Sequence, residues 1–552
     1  MSNASAAPAG AATPATRTAP AVAAPPAFAA AQPLQGAARM WGTIALSAAT
    51  FMNVLDSSIA NVSLPAIAGD LGVSPNQGTW VVTSFGVANA IAVPLTGWLS
   101  QRFGQVRLFT LSVLLFVLAS WLCGLAPNMT TLIAMRALQG FVAGPMMPLA
   151  QTLLLSSYPP AMAGLAMALW AMTTLVAPVM GPLLGGWITD NMHWGWIFYI
   201  NIPVGFAAAF ITWTVYKKRE TQIRKLPIDT MGLTLLVLAV AALQIMLDRG
   251  KELDWFHSGE IITLGLVALI GGAFFIAWEL TDDHPVVDLR LLKERNFAVG
   301  SICLAIAYSL FIGNLVLLPL WLQQFMGYTS TQAGMLLAPV GLFAILLSPI
   351  VGKNVQKTDP RMLATFAFVM FALVLVMRAH FNTQADFFTI MIPTIVQGVA
   401  VAFFFIPLSS ITLGGIAPAH MASASGLSNF MRIVGGAFGT SITITIWQDR
   451  AAMHHADLTE SINRGSQAAT SALGGLSNLG LSNEQSLATI NRLVDQQAFM
   501  LAANDVFMGS AAIFMLLIPS IWFAKRVRMV APAAPGGGGS APAPGAADAA
   551  AH

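Results

Sequence analysis

The chain has 552 residues, 56% of them hydrophobic and only 9% charged, about a third of the charge a soluble globular protein carries. That composition excludes a soluble domain and describes a polytopic membrane protein. The net charge of +3 is too small for a nucleic-acid surface, and Cys123 and Cys303 both fall inside apolar runs, which argues against a disulfide framework.

Residues 1–39 are dominated by Ala, Pro and Thr and lack the charged-then-apolar order of a secretory signal, so they read as a disordered cytoplasmic tail. Residues 526–552, with their Pro-Gly-Gly-Gly-Gly-Ser run, read the same way. Between the tails, apolar runs long enough to span a bilayer recur near 40–62, 79–100, 108–126, 129–153, 163–189, 196–216, 228–248, 259–280, 295–322, 331–352, 362–380, 385–408, 425–448 and 506–524. Fourteen spans are expected.

Alternate connections carry the positive charge: Arg102 and Arg107; Lys217, Lys218, Arg219, Arg224 and Lys225; Arg290, Lys293 and Arg295; Lys353, Lys357 and Arg361; Lys525, Arg526 and Arg528. Cationic loops stay on the cytoplasmic side, so both termini are expected there. The sequence also repeats. Gly72, Gln77, Pro94, Gly97 and Arg102 return as Gly327, Gln332, Pro349, Gly352 and Lys357, and Gln139-Gly140 returns as Gln397-Gly398. Parallel repeats of this kind build transporter halves. The expected plan is one six-helix half over 40–216, a linker and inserted pair over 217–294, and a second half over 295–525.

The first span, Met40 to Val62, contains Asp56, and the fourth contains Arg136. An aspartate at mid-helix costs roughly 2.5 to 3.5 kcal/mol on insertion scales, so it must face a protein interior or a wet cavity. Burial favours the neutral acid and a nearby guanidinium favours the anion, so such a pair can hold or release a proton according to which side is open. Across the repeat, Asp56 aligns with Leu310 or Phe311 and Arg136 with Thr394. Function is one reading of the pair, and a structural ion pair retained by one half is the other.

The fifth span runs Ala177-Pro178-Val179-Met180-Gly181-Pro182-Leu183-Leu184-Gly185-Gly186. Small residues let another helix approach, and each Pro frees a carbonyl and permits a bend; a plain packing helix is the alternative. Between spans two and three, Gly97-Trp98-Leu99-Ser100-Gln101-Arg102-Phe103-Gly104-Gln105-Val106-Arg107 sets a turn-forming Gly104 among cations that can pair with helix ends or acids.

With Leu55-Asp56-Ser57-Ser58-Ile59-Ala60-Asn61-Val62-Ser63-Leu64-Pro65, Arg136-Ala137-Leu138-Gln139-Gly140 and Trp194-Gly195-Trp196-Ile197-Phe198-Tyr199-Ile200-Asn201-Ile202-Pro203, these stretches carry a resemblance. The chain resembles the major facilitator superfamily and, within it, the fourteen-span drug:proton antiporters, most closely exporters of EmrB type, over roughly residues 40 to 525. The resemblance implies an all-α facilitator fold in the bacterial inner membrane, driven by protons without a cofactor. It also implies a proton-coupling role for Asp56 and Arg136, a gating role for Gly97, Arg102, Gly104 and Arg107, and an antiport role for a bend at Pro178, Gly181, Pro182, Gly185 and Gly186. Gln101 and Gln105 stand where the loop motif usually has an acid and a base, so a charge relay through them is not expected.

Asp449 to Asp505 is a long polar connection expected outside. Ser482 and Gln485 have capping-box spacing, followed by Leu487, Ile490, Val494 and Leu501 at helical spacing. A helix lying on the bundle or membrane surface is one reading. A docking surface for an EmrA-like periplasmic adaptor, itself joined to a TolC-like outer-membrane channel as the resemblance implies, is the other.

His454 and His455 are adjacent and lack a third ligand at metal spacing, and no phosphate-binding Gly-Lys-Ser/Thr loop exists. Substrate is expected near the midplane between the halves, in a Met-rich lining suited to lipophilic compounds of varied shape. Candidates are Asn53, Phe85, Asn89, Gln139, Trp170, Tyr308, Asn314 and Gln397, each of which could equally pack helices; Arg432 could face the cavity or make a structural pairing. The functions compatible with these features are export of hydrophobic drugs or toxic amphiphiles against protons, narrow export of one metabolite or fatty acid, and a non-transporting sensor or scaffold.

Overall fold

The computed structural model describes residues 32–526 except 224–226, 228, 284, 356 and 462–465. Most of each expected tail therefore lies outside the described residues, as do Arg224, Lys225 and Arg528 and the side chain of Pro182, while residues 36–39 of the expected first tail belong to the first helix instead.

The described chain is helical and contains no strand. In order its helices are α1 Gly36–Asp70, α2 Pro75–Gly78, α3 Trp80–Ala92, α4 Thr96–Phe103, α5 Gln105–Gly124, α6 Met129–Ala143, α7 Met146–Ser157, α8 Ala163–Asn191, α9 Trp196–Tyr199 and α10 Asn201–Tyr216. They continue with α11 Thr230–Arg249, α12 Gly259–Thr281, α13 Arg295–Phe325, α14 Ser330–Asn354, α15 Pro360–Arg378, α16 Phe387–Ala402, α17 Phe405–Leu413, α18 Met421–Ser461, α19 Gln467–Asn478 and α20 Asn483–Trp522. Thirteen spans are long and apolar enough to cross a bilayer, and α3 with α4, bent by 63° at Val93–Leu95, makes a fourteenth.

Side-chain caps start several helices where the sequence provides them. Thr329 and Gln332 form a reciprocal capping box on α14, Ser482 and Gln485 form the expected one on α20, and Asp386 accepts from the Thr389 amide at 3.0 Å to open α16. The spans themselves are held by packing, because their backbone groups are satisfied internally and lipid offers no alternative.

In the first bundle α1 packs on α8 and α10, α3 on α6, and α5 on α6 and α10. The second sets α13 against α18 and α17, α14 against α16, and α15 against α16 and α20. α8 meets α14 and α7 meets α18 across the two, while the α11–α12 pair leans on α3 and α18. Leu34 is bonded to the Ser157 carbonyl and Arg526 to Asp359, so the described chain starts and finishes at one end of the bundle, called here the near end.

At the near end the two bundles touch backbone to backbone. A Cβ on Gly164 of α8 would overlap the Gly352 carbonyl of α14, and one on Gly97 of α4 would overlap Ser423 of α18. At the far end the connection 449–505 departs from expectation. Rather than lying flat, its residues extend α18 to 41 and α20 to 40 residues, so both helices run on beyond their apolar segments. The extensions grip each other through His454–Asp505 at 2.8 Å, His455–Asp495 at 3.4 Å and the Trp447 indole donating to the Phe499 carbonyl. The expected apolar stripe is divided: Val494 is 6% exposed against the bundle and Leu487 51% exposed.

Candidate functional site

Asp56 lies in the body of α1 and is only 2% exposed; Arg136 on α6 is fully buried. One Arg136 Nη donates to Asp56 Oδ2 at 2.5 Å, and its Nε donates to the Val81 carbonyl at 3.0 Å. Gln139, one turn along α6 and therefore on the same face, accepts from Arg136 at 2.6 Å and donates to Asp56 Oδ1 at 3.0 Å. Asn201, at the start of α10, donates to the same oxygen at 2.8 Å, and Ser120 of α5 accepts from both amides. Phe85 and Phe198 cover the guanidinium at 4.3 and 5.5 Å, and its second Nη has no hydrogen-bond partner. Four helices thus converge on one carboxylate that is shut off from the protein surface. Removing either charge would strand the other, the costly case for a buried ion pair.

The second bundle replaces this arrangement. Arg378 is fully buried and donates to Gln397 at 2.6 Å and to Thr394 at 3.4 Å, with its Nε unpartnered. It precedes Gln397 by the same 19 residues that separate Ser120 from Gln139. The repeat therefore keeps its glutamine, loses the carboxylate and places a cation where the first half has a serine.

α8 packs against α1 at Ser58 and Ile59, just beyond Asp56 in sequence. Pro182 has no N–H, so the Pro178 carbonyl one turn earlier is free, and Ser58 of α1 donates to it at 3.2 Å. Gly181 faces Ser58 and Gly185 faces the Ile59 carbonyl, whereas Gly186 faces open space. α8 is a single continuous helix through this run. The run thus serves the approach of α1.

The loop between α4 and α5 turns at Gly104, whose φ of +86° suits glycine. Its acidic partner is Glu220, which accepts from the Val106 and Arg107 amides at 3.0 and 2.9 Å and so caps α5. The Arg107 side chain reaches Glu220 only at 4.0 Å, and Arg102 stacks on Trp98. The loop is therefore held mainly through backbone amides.

A second polar cluster lies where α7, α8, α13, α17 and α18 meet. A narrow gap of about 10 Å³ there, room for a single water, is bordered by Gln151, Trp170, Ser409, Thr412, Asn429 and Arg432 among others. Arg432, 4% exposed, donates to Asn429 at 3.1 Å and sits 4.7 Å above the Tyr308 ring. Of the substrate candidates, Trp170 lines this gap and Tyr308 lies under Arg432. Phe85 and Gln139 belong to the Asp56 network and Gln397 to Arg378. Asn53 donates to the Ala143 carbonyl, Asn89 to the Gly140 carbonyl and Asn314 to Leu310 and Ser510, so these three tie helices together. Asn201, Ser120 and Arg378 were not picked out by sequence; the repeat offset from Gln139 was the one signal that could have found Arg378.

A family model described as Major Facilitator Superfamily matches residues 46–440. The chain belongs to the Major Facilitator Superfamily. Within it, this facilitator is 52% identical to "Multidrug export protein EmrB" of Escherichia coli (strain K12) over 509 residues, 92% of this chain and 98% of that protein. It is 50% identical to "Fatty acid resistance protein FarB" of Neisseria gonorrhoeae over 507 residues, 92% and 99% of the two chains. The crystal structure of the human organic anion transporter MFSD10 (TETRAN) matches with a TM-score of 0.58 at 11% identity, covering 88% of this chain and 100% of that one, which shows the fold alone. The facilitator is thus a multi-pass membrane transporter of EmrB type and not an enzyme.

Proposed function

We propose that this facilitator exports hydrophobic drugs and toxic amphiphiles across the bacterial inner membrane in exchange for protons, with Asp56 as the proton carrier and Arg136 as the group that competes with the proton for it. The observation that carries this reading is the buried network around Asp56, in which Arg136, Gln139 and Asn201 all donate to one carboxylate. A proton can reach Asp56 only if that network opens, and a protonated Asp56 no longer holds Arg136. Protonation and rearrangement of α1, α6 and α10 are thereby coupled.

Ser58, two residues after Asp56 on α1, holds α8, and α8 in turn meets α14 across the bundles at Gly164 and Gly352. The loop carrying Gly97, Arg102, Gly104 and Arg107 closes the same end against α18. The near end is the cytoplasmic one, as the cationic connections favour. The projecting α18–α20 pair then faces outward and offers Leu487 to a periplasmic adaptor of EmrA type joined to a channel of TolC type. The likeness to FarB favours a second reading, a narrow exporter of one amphiphile.

Everted vesicles carrying the full chain test the proposal. A lipophilic dye added to energised vesicles should be accumulated and should release protons, and Asp56→Asn should do neither. Accumulation by Asp56→Asn against a gradient would overturn the assignment, and a substrate panel separates the two readings.

A further inference from the structure

The inserted pair α11–α12 belongs to neither six-helix half, yet its far end is bonded to both. Toward α3, the Thr83 hydroxyl donates to the Asp248 carboxylate, and the Arg249 guanidinium sits 5.7 Å over the Trp80 ring. On the same side the Gln244 amide lies 4.0 Å from where a Cβ on Gly86 would stand. Toward α18, Ser441 donates to the Leu247 carbonyl at 2.8 Å, the Trp255 indole donates to Thr445 at 2.9 Å, and Lys251 pairs with Asp449 at 3.7 Å. Residues 80, 83 and 86 recur every third position along α3, and 441, 445 and 449 every fourth along α18, so each set is one face of its helix. At the near end α18 meets the first bundle directly instead, through Ser423 on Gly97 and Gly426 on the Val93 carbonyl.

α11 therefore braces the far end of the seam between the two halves. That end cannot change its width while α11 holds both faces, and alternating access requires that it does. One face has to let go. The α18 side is the firmer. Leu247 is 5% exposed and its carbonyl is among the last four of α11, which a helix does not pair by itself, so parting from Ser441 would strand a buried acceptor. The turn is also bent to deliver Trp255: Asp254 and Trp255 have φ of +56° and +48°, a conformation that residues with side chains keep only where their surroundings hold them. Contacts with α3 part more cheaply. Asp248 is exposed, so water can replace Thr83 on its carboxylate, and the Thr83 hydroxyl can turn back to the Thr79 carbonyl one turn earlier.

We propose that the inserted pair is a brace that travels with α18 and releases α3 in each transport cycle, with the Asp248–Thr83 bond as its catch. The inference rests on the export reading only in needing the two halves to alternate; it depends on neither the cargo nor the proton carrier.

The test uses the full chain in proteoliposomes with two cysteine pairs, each joined by a short bis-maleimide; the native Cys123 and Cys303 are both buried. Joining Thr83→Cys to Asp248→Cys fixes the inserted pair to α3 and should stop uptake of a lipophilic dye. Joining Lys251→Cys to Asp449→Cys fixes it to α18 and should leave uptake at the rate of the unjoined protein. The reverse result, loss in both or loss in neither overturns the inference. Spin labels at the exposed positions Gln77→Cys, Glu252→Cys and Met453→Cys keep it decidable if the first pair fails to fold. On imposing a proton gradient, the distance from 252 to 77 should shift while that from 252 to 453 stays fixed, and any other pattern overturns the brace. Dye uptake by the wild type separates the two levels. Uptake with the wrong cross-link pattern removes the brace alone, whereas a wild type that moves no dye removes the export reading and leaves the label distances to decide the brace.

Discussion

Asp56 is fixed by Arg136, Gln139 and Asn201 together, and this makes single-residue changes informative. Asp56→Asn keeps the shape and one acceptor, so its cost should stay below the ~3–5 kcal/mol of deleting one partner of a buried pair. The variant is expected to insert and melt as a folded protein in detergent while losing proton release on addition of substrate. Asn201→Ala removes one donor to a charged group, a bond worth roughly 1.5–3 kcal/mol, and should slow exchange about tenfold or more in the same vesicle assay. Asp56 and Arg136 were legible in the sequence because a charge inside an apolar run has few explanations. Asn201 and Ser120 were not, since a neutral polar residue in a membrane span carries no mark of its role. Arg378 was hidden because a cation at a span end reads as an ordinary anchor.

At the level of elements, α8 does two jobs with one set of small residues. Its Gly181 and Gly185 receive α1, and its Gly164 receives α14. Gly164→Val forces a side chain into the Gly352 carbonyl; overpacking typically costs 1–3 kcal/mol, which is about a five- to 150-fold shift in a two-state equilibrium. The near end should open, read as faster maleimide labelling of an Ala168→Cys reporter, with dye accumulation lost. The proline–glycine run was legible as a close-approach surface, and Ser58 donates to the Pro178 carbonyl that Pro182, lacking an N–H, leaves free.

Asp359 stitches the start of α15 to the chain end. Its bond to Arg361 holds its carboxyl below the usual carboxylate range, and Arg526 adds to this. A depressed folded value contributes stability that is present above the unfolded value of about 3.9 and lost as pH falls through the folded one. Release of the segment after α20 is therefore expected only below about pH 4, followed by limited proteolysis at Lys525–Arg526, with no change between pH 5 and 8.

For the whole molecule, span number, the two-bundle plan and the inserted pair followed from hydropathy and the internal repeat, since bilayer thickness and the repeat leave few other arrangements. The far-end connection was legible as helical, but an apolar stripe does not say which partner covers it. Here the membrane helices themselves continue and cover it. Leu487, left bare on that extension, is the position to test: Leu487→Ser should weaken capture of a purified periplasmic adaptor in a pull-down while leaving vesicle transport unchanged. Val494→Ser should instead loosen the fold, because Val494 is packed.

α18 carries Arg432 within the bundle and His454 and His455 on its protruding part, in one uninterrupted rod. With the gap residue and the tip some thirty residues apart, or about 45 Å at 1.5 Å per residue, a tilt of a few degrees at the gap residue swings the tip by about 2 to 4 Å. A partner seated on that tip would be moved by any change of packing deep in the bundle, through a lever rather than a diffusing signal.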